Sequence, residues 1–197
     1  MVTGTCFAAT GQRVVCVDKD ASKIERLQRA EIPIYEPGLE EMVKENASAG
    51  RLTFTTDLAA AVADVDLAFI AVGTPPTHEG EADLSAVFAV AEELAEHATH
   101  DLVIVMKSTV PVGTNTLVQR LVADAKHDIQ VASNPEFLKE GGAISDFMYP
   151  DRIVVGVRPG HERARGLMDR VYHPLNLSST KIVWMNPESA EVTKYAA

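Results

Sequence analysis

The sequence predicts an α/β fold in which helices cover both faces of a mostly parallel, doubly wound sheet. Short apolar runs bounded by turn residues alternate with longer stretches of helical period, which is the pattern of repeated strand and helix units. Several of these runs are apolar throughout, as is typical of strands buried on both faces. Hydroxyl and acidic side chains follow several runs, at the edge of the sheet where folds of this class bind ligands.

Seven segments have the length and composition of strands. We predict them at residues 13–17, 52–55, 66–72, 102–107, 129–133, 152–157 and 181–185. Two helical segments between them place apolar side chains on one face, at Leu84, Val87, Phe88, Ala91 and Leu94 and at Leu117, Val118, Leu121 and Val122. Asp83 is placed to cap the first of these helices, and the second follows Gly113.

The start of the chain departs from the usual order of such a fold. Residues 1–10 have the pattern of an apolar helix closed by Gly11, and the strand that follows ends in Asp18. An acid at the tip of a second strand is where a dinucleotide-binding fold holds ribose hydroxyls, but the glycine fingerprint should lie about 20 residues earlier. Gly4 and Gly11 do not have that spacing, so we predict a fold that lacks the first strand and its glycine-rich turn. Asp18 could equally be a turn residue, as Asp20 is a candidate cap of the next helix.

Composition excludes several classes of protein. The chain has 197 residues, 46% of them apolar, which is enough to bury a core. Its net charge of -10 and the absence of Lys and Arg clusters argue against a nucleic-acid partner. No apolar stretch approaches the roughly 20 residues of a membrane span, and the first residues lack the basic start of a signal peptide. We expect a cytoplasmic protein with no membrane partner.

The cysteines and histidines do not suggest a metal or disulfide site. Cys6 and Cys16 both lie in apolar runs, which favours a role as small core residues in a reducing compartment. His97 and His100 form the one close histidine pair, and no Cys, Asp or Glu stands near them at zinc-site spacing. We therefore predict no metal.

Turns rich in small and hydroxyl residues follow two of the predicted strands. Thr74 stands between Gly73 and two prolines, and Ser108 and Thr109 follow the strand at 102–107. Each turn alone could be purely structural. Because the carboxyl ends of parallel strands meet at one edge of a sheet, we expect the hydroxyl groups of these turns to converge there.

A third strand exit carries two carboxylates. Asn134-Pro135 ends the strand at 129–133, and the proline allows a helical turn to start. Such a turn would place Glu136 and Glu140 on one face with Lys139 nearby, where the carboxylates could hold a water or act on a substrate proton. The alternative is a solvated acidic helix start, which the helix dipole favours.

Together these motifs resemble the UDP-glucose/GDP-mannose dehydrogenase family. The matching segments cover nearly the whole chain, at residues 2–8 (VTGTCFA), 17–18 (VD), 32–39 (IPIYEPGL), 71–76 (AVGTPP), 107–113 (KSTVPVG), 133–141 (SNPEFLKEG), 150–152 (PDR) and 189–197 (SAEVTKYAA). The resemblance implies a Rossmann-like NAD-binding domain. It also implies oxidation of the primary alcohol of a nucleotide sugar to a carboxylate with two NAD in succession, through an aldehyde and a cysteine-linked thioester.

The resemblance implies a set of site residues. For the cofactor these are Asp18, Lys23, Val72, Thr74, Pro75, Ser108, Thr109 and Glu140, and for the sugar nucleotide Glu136, Phe137, Leu138, Lys139, Glu140 and Lys194. The implied catalytic residues are Thr109 and Glu140, which hold a water, and Glu136, which acts as general acid and base in thioester hydrolysis. Lys194 is implied to stabilise the oxyanion. The implied substrate is UDP-glucose, which the sequence EFLKE at residues 136–140 favours. GDP-mannose and an N-acetylated UDP-sugar are the alternatives.

The resemblance also implies domain limits. We expect residues 1–185 to be an incomplete NAD-binding domain, and residues 186–197 to begin a central helix that leads to a substrate domain absent from this sequence. Neither Cys6 nor Cys16 matches the family's nucleophile, so we expect this chain alone to be inactive. The family forms homodimers through the central helix, which leaves dimerisation of this chain in doubt. A non-catalytic nucleotide-binding or interaction domain is the alternative function.

Overall fold

A computed structural model describes residues 1–175 and 182–196, and within them the chain alternates helices and strands. The helices are α1 (Val2–Ala9), α2 (Ala21–Gln28), α3 (Leu39–Ser48), α4 (Leu58–Val62), α5 (Ser85–His97), α6 (Thr114–Leu121), α7 (Ala143–Met148), α8 (Glu162–Tyr172) and α9 (Pro187–Ala196). The strands are β1 (Val14–Val17), β2 (Leu52–Thr55), β3 (Leu67–Ile70), β4 (Leu102–Met106), β5 (Ile129–Ser133), β6 (Ile153–Gly156) and β7 (Ile182–Met185). A short 3-10 helix spans His173–Leu175.

The chain divides into two compact units. Unit 1 comprises residues 1–61, 137–151 and the described part of 171–180, and unit 2 comprises residues 62–136, 152–170 and the described part of 181–197. Each unit contains one sheet, β1-β2 in unit 1 and β3-β4-β5-β6-β7 in unit 2. All neighbouring strands run parallel except β5 and β6, which meet in antiparallel fashion at Ser133 and Gly156. The predicted mostly parallel α/β fold is confirmed.

Unit 1 is held together by an apolar core beneath its two strands. The buried members of this core are Ala8, Ile24, Leu27, Leu39, Val43, Leu52 and Phe54. Phe7 of α1 also packs edge-on against Phe147 of α7, with 5.0 Å between ring centroids. Helix α7 is therefore fixed to α1 by an aromatic contact.

Unit 2 is built on strands that are apolar along their length. All five residues of β4 are buried, as expected of a strand covered on both faces. Helix α9 lies close against β6, because Gly156 has no side chain: a Cβ atom there would stand 2.7 Å from the Cα of Pro187. This close approach sets the position of α9 relative to the sheet.

All seven predicted strands are confirmed, each with ends within two residues of the prediction where the residues are described. Position 181 lies outside the described residues. The predicted cap at Asp20 is confirmed, because its side chain accepts a hydrogen bond from the Lys23 N–H at 3.1 Å at the start of α2. The prediction that Asp83 caps the next helix is wrong: the residue at the cap position of α5 is Leu84, and Asp83, one residue earlier, accepts the Ser85 N–H at 2.9 Å. The helix predicted at residues 1–10 is α1, followed by Gly11 with a φ of +97°.

The helical turn predicted to start at Pro135 is wrong. Residues 134–139 are not helical, and α7 begins only at Ala143. A helix would need the Glu136 carbonyl to accept the backbone N–H four residues later, but this carbonyl accepts a hydrogen bond from the Lys194 ammonium instead. Glu136 and Glu140 therefore do not share a helical face.

Among the described residues, no helix combines the length and the apolar character that a membrane span requires.

Candidate functional site

The turns after β3 and β4 are joined by hydrogen bonds at the carboxyl ends of these strands. The Ser108 hydroxyl donates to the Val72 carbonyl at 2.7 Å, and the Thr74 hydroxyl donates to the Thr109 carbonyl at 2.8 Å. The turn after β3 is further fixed by the Asp83 N–H, which donates to the Pro75 carbonyl at 2.9 Å. The predicted convergence of the two hydroxyl-bearing turns is therefore confirmed within unit 2.

The segment after β5 joins the same edge. The Asn134 N–H donates to the Met106 carbonyl at 2.8 Å, and the buried Asn134 amide donates to the Val154 carbonyl at 2.8 Å. Beyond Asn134 the chain is extended, and Lys194 of α9 reaches the Glu136 carbonyl. A small pocket at this edge is lined by Met106, Ser108, Thr109, Val110, Ser133, Pro135, Glu191 and Lys194. Unit 2 thus brings Thr109, Glu136 and Lys194 to one edge of its sheet.

Sequence reasoning missed Lys107, which directly follows β4. Its side chain is only 5% exposed, and its Nζ lies 3.9 Å from Oε2 of Glu136. Burial lowers the pKa of Lys107 to about 8; the Glu136 charge opposes this change, and the Lys194 charge adds to it. The sequence feature that could have indicated a buried lysine is its position directly after the five apolar residues of β4.

Stability should depend on pH through Lys107. Because its pKa is about 8 when folded and the ordinary value is 10.5, the unfolded chain binds more protons between these values, and stability rises with pH in that window. Relative to Lys107→Met, the wild type should gain up to about 3 kcal/mol between pH 8 and 10.5. Urea unfolding of both proteins across this range checks the prediction. A difference that stays constant with pH would contradict it.

Glu191 was missed as well. This residue of α9 is buried, and its carboxylate accepts hydrogen bonds from the Gly113 N–H at 2.6 Å and the Asn115 N–H at 2.7 Å, at the start of α6. Burial raises the pKa of Glu191, although these two bonds oppose the change. These bonds anchor α9 to the start of α6. Lys194 lies three residues further along the same helix, so Glu191 helps to fix its position. The sequence signal was an acid on the same helical face as Lys194.

In unit 1, the predicted Asp18 and Lys23 form an ion pair. Asp18 directly follows β1; one carboxylate oxygen pairs with the Lys23 ammonium, and the other accepts the Asp20 N–H at 3.1 Å. Burial acts to raise the pKa of Asp18, but the bonds from Lys23 and Asp20 outweigh it, so the pKa lies below its usual value. The carboxylate remains 30% exposed and can accept hydrogen bonds from hydroxyl groups of a ligand.

Residues 137–140 also belong to unit 1, where Glu36 holds the segment that follows them. The Glu36 carboxylate accepts the Gly141 N–H at 3.0 Å and the Ile144 N–H at 3.3 Å, and Asp146 accepts the Lys139 N–H at 2.9 Å. Phe137 and Leu138 are half-buried, while Lys139 and Glu140 are exposed. Of the predicted catalytic residues, Glu140 therefore lies in unit 1, and Thr109, Glu136 and Lys194 lie in unit 2. Glu36 was not predicted as a site residue.

Neither cysteine has the surroundings of a nucleophile. Burial raises the pKa of Cys6 to about 12, with the Glu36 charge adding to the effect, and burial also raises the pKa of Cys16. Both thiols are free. Within the part of the chain that the structure describes, no three His, Cys, Asp or Glu side chains come together as a metal site would require.

Comparison with known proteins decides the family. A sequence profile described as the UDP-glucose/GDP-mannose dehydrogenase family, NAD binding domain, matches residues 1–176. The chain belongs to the UDP-glucose/GDP-mannose dehydrogenase family. It represents the NAD-binding domain of this family. In unit 1 an acid follows β1, and in unit 2 hydroxyl side chains follow β3 and β4, which are residue types that bind the hydroxyl and amide groups of this cofactor.

Relatives within this family are similar over the whole chain. The sequence is 50% identical over 199 residues to a UDP-glucose 6-dehydrogenase of Rhizobium meliloti (strain 1021), covering all of this chain and 46% of the relative. A UDP-glucose dehydrogenase structure from Pyrobaculum islandicum is 44% identical with a TM-score of 0.91, over 99% of this chain and 45% of that one. A GDP-mannose dehydrogenase structure from Pseudomonas aeruginosa is 33% identical with a TM-score of 0.89, and the match covers 99% of this chain and 46% of that one. The chain spans less than half the length of these relatives.

Proposed function

We propose that this chain supplies the NAD site and the proton-handling part of the active site of a UDP-glucose 6-dehydrogenase. The observation that carries the proposal is that Thr109 and Lys194 line one pocket at the carboxyl edge of the unit 2 sheet, where the Lys194 ammonium donates to the backbone carbonyl of Glu136. The identity of 50% to a UDP-glucose 6-dehydrogenase, against 33% to a GDP-mannose dehydrogenase, favours UDP-glucose.

The cofactor contacts follow from the strand exits. Asp18 accepts hydrogen bonds from the adenosine ribose hydroxyls, and Lys23 holds its carboxylate in place. The remaining cofactor contacts are Val72, Thr74, Pro75, Ser108, Thr109 and Glu140. NAD, when bound, would supply the acceptor for the hydride, and these residues would orient it.

The chemical roles follow from charge and position. Lys194 is a cation that stabilises the oxyanion formed during thioester formation, and its hydrogen bond to the Glu136 carbonyl holds it at the sheet edge. Glu136, whose carboxylate is 44% exposed, exchanges protons during thioester hydrolysis. Thr109 and Glu140 position the attacking water. The segment 137–139 contacts the sugar nucleotide.

The proposal extends to partners and location. We place the protein in the cytoplasm with no nucleic-acid or membrane partner; the net charge of -10 supports the absence of a nucleic-acid partner. Two alternative functions are dehydrogenation of another nucleotide sugar, supported by the TM-score of 0.89 to a GDP-mannose dehydrogenase, and nucleotide binding without catalysis. The second is supported by the raised pKa values of both cysteines, since neither supplies a thiolate.

A calorimetric titration of NAD into this chain tests the cofactor site. Replacing Asp18 with alanine should weaken NAD binding at least tenfold, because a hydrogen bond to a charged group contributes about 1.5–3 kcal/mol. Asp64→Ala is a matched control, because it removes an exposed acid elsewhere in the chain and should leave the affinity unchanged. Equal affinities of wild type and Asp18→Ala, or no binding by the wild type, would contradict the proposed site.

A further inference from the structure

Lys107 is a buried basic group that the proposed reaction does not yet use. Its backbone N–H donates to the Ile70 carbonyl at 2.9 Å, and the Asn134 N–H is bonded to the preceding residue, so neighbouring strands on both sides fix its position. The side chain runs into the interior and ends 3.9 Å from the Glu136 carboxylate. This distance is beyond a direct hydrogen bond, so the contact is an ion pair between a buried ammonium and a partly exposed carboxylate.

Within the described residues, the charges that shift the pKa of Lys107 come from two elements. Glu136 reaches it from the segment after β5, and Lys194 acts on it from α9. Glu191, also on α9, directs its carboxylate to the backbone N–H groups of α6 instead. One carboxylate and one ammonium group therefore act on Lys107, and both belong to the proposed active site.

Packing alone does not account for a lysine at this position. An ammonium group loses its hydration when buried, whereas an apolar side chain such as methionine would fill the same space at no such cost. The preceding residues of β4 are all buried and apolar. A buried cation is therefore a liability here unless its charge or its proton is used.

We propose that Lys107 is a positioning residue for Glu136 that also exchanges a proton with it during thioester hydrolysis. The inference rests on the proposed function. Hydrolysis breaks the C–S bond of the thioester and one O–H bond of water; a new C–O bond forms, the thiolate leaves, and the water releases one proton. The Glu136 carboxylate takes this proton and passes it to the neutral Lys107 amine. The resulting ammonium returns the proton through Glu136 to the leaving thiolate.

The lowered pKa of Lys107 supports this role. An ordinary lysine remains almost fully protonated near neutral pH and could not accept a proton. With a pKa of about 8, a usable fraction of Lys107 is neutral, and the protonated form still loses its proton readily.

Side-chain NMR of the chain labelled at its lysines tests the inference without any cofactor. The Lys107 signal, assigned by its loss in Lys107→Arg, should titrate near pH 8. Glu136→Gln should lower this midpoint, because an attractive charge is removed, and Lys194→Met should raise it. Exchange of the Lys107 ammonium protons with water should slow at least about tenfold in Glu136→Gln, because the route through the carboxylate is lost.

These outcomes separate the inference from the proposed function. A midpoint at the ordinary lysine value, or a midpoint and exchange rate unchanged in Glu136→Gln, would overturn the role of Lys107 even if NAD binds. Coupled titration together with slowed exchange supports it even if calorimetry finds no NAD binding, because neither NMR observation depends on the cofactor. A residue with a purely structural role would show neither the paired shifts in opposite directions nor the change in exchange rate.

Discussion

Replacing Glu191 with alanine is expected to lower the free energy of unfolding by about 2–5 kcal/mol. The substitution leaves the N–H groups of Gly113 and Asn115 without their acceptor, and the Asn115 side chain is fully buried. It also removes the contact that anchors α9 to the start of α6. Urea unfolding followed by circular dichroism measures the loss.

Two further substitutions sharpen this test. Glu191→Gln retains one carbonyl acceptor but points an amide donor at the second N–H. Its free energy of unfolding should therefore lie between those of the wild type and Glu191→Ala. Glu162→Ala removes an exposed carboxylate from the first turn of α8 and should change stability by less than about 1 kcal/mol. A loss in Glu191→Ala no greater than in Glu162→Ala would show that the buried bonds do not stabilise the fold.

A methyl group at Gly156 should also destabilise the fold. In Gly156→Ala the new Cβ would lie 2.7 Å from the Cα of Pro187 and 2.8 Å from the Cβ of Ala190, both on α9. Backbone atoms cannot move aside as a flexible side chain can, so α9 must shift away from β6. Overpacking of this kind costs about 1–3 kcal/mol or more, and here it also displaces the helix that carries Lys194.

A glycine-to-alanine substitution in α8 should instead raise the free energy of unfolding. Gly166 lies within α8, and a Cβ atom there would meet nothing within 4 Å. Gly166→Ala should therefore stabilise the chain by up to about 1 kcal/mol, because alanine favours the helical backbone. Thermal unfolding of both variants compares the two sites directly. A Gly156→Ala variant as stable as Gly166→Ala would contradict the close packing of α9 on β6.

Local sequence patterns were sufficient for most of the secondary structure. The strands are mostly apolar runs, and Asp20 lies three residues before the N–H group that it caps. Such features depend on neighbours in the chain, so they can be predicted without knowledge of the fold. The joined turns at Thr74 and Ser108 followed from the rule that parallel strands end at one edge.

The features that were missed or wrong depend on residues far apart in the chain. Pro135 could have started a helix, but Lys194, 58 residues from Glu136, takes the carbonyl that the helix needs. Glu191 bonds to an N–H that is 78 residues away, and Glu36 holds an N–H that is 105 residues away. The burial of Lys107 likewise depends on strands on both sides of it. No local pattern contains these contacts.

The most direct measurement is the mapping of NAD binding onto the backbone amides of this chain by NMR. The proposed site predicts that the signals of Asp18, Thr74, Ser108 and Thr109, which follow β1, β3 and β4, shift together and saturate at one dissociation constant. Exposed residues of α8, such as Glu162 and Asp169, should not respond. Shifts confined to other parts of the chain, or none at millimolar NAD, would contradict the assignment of these residues as cofactor contacts.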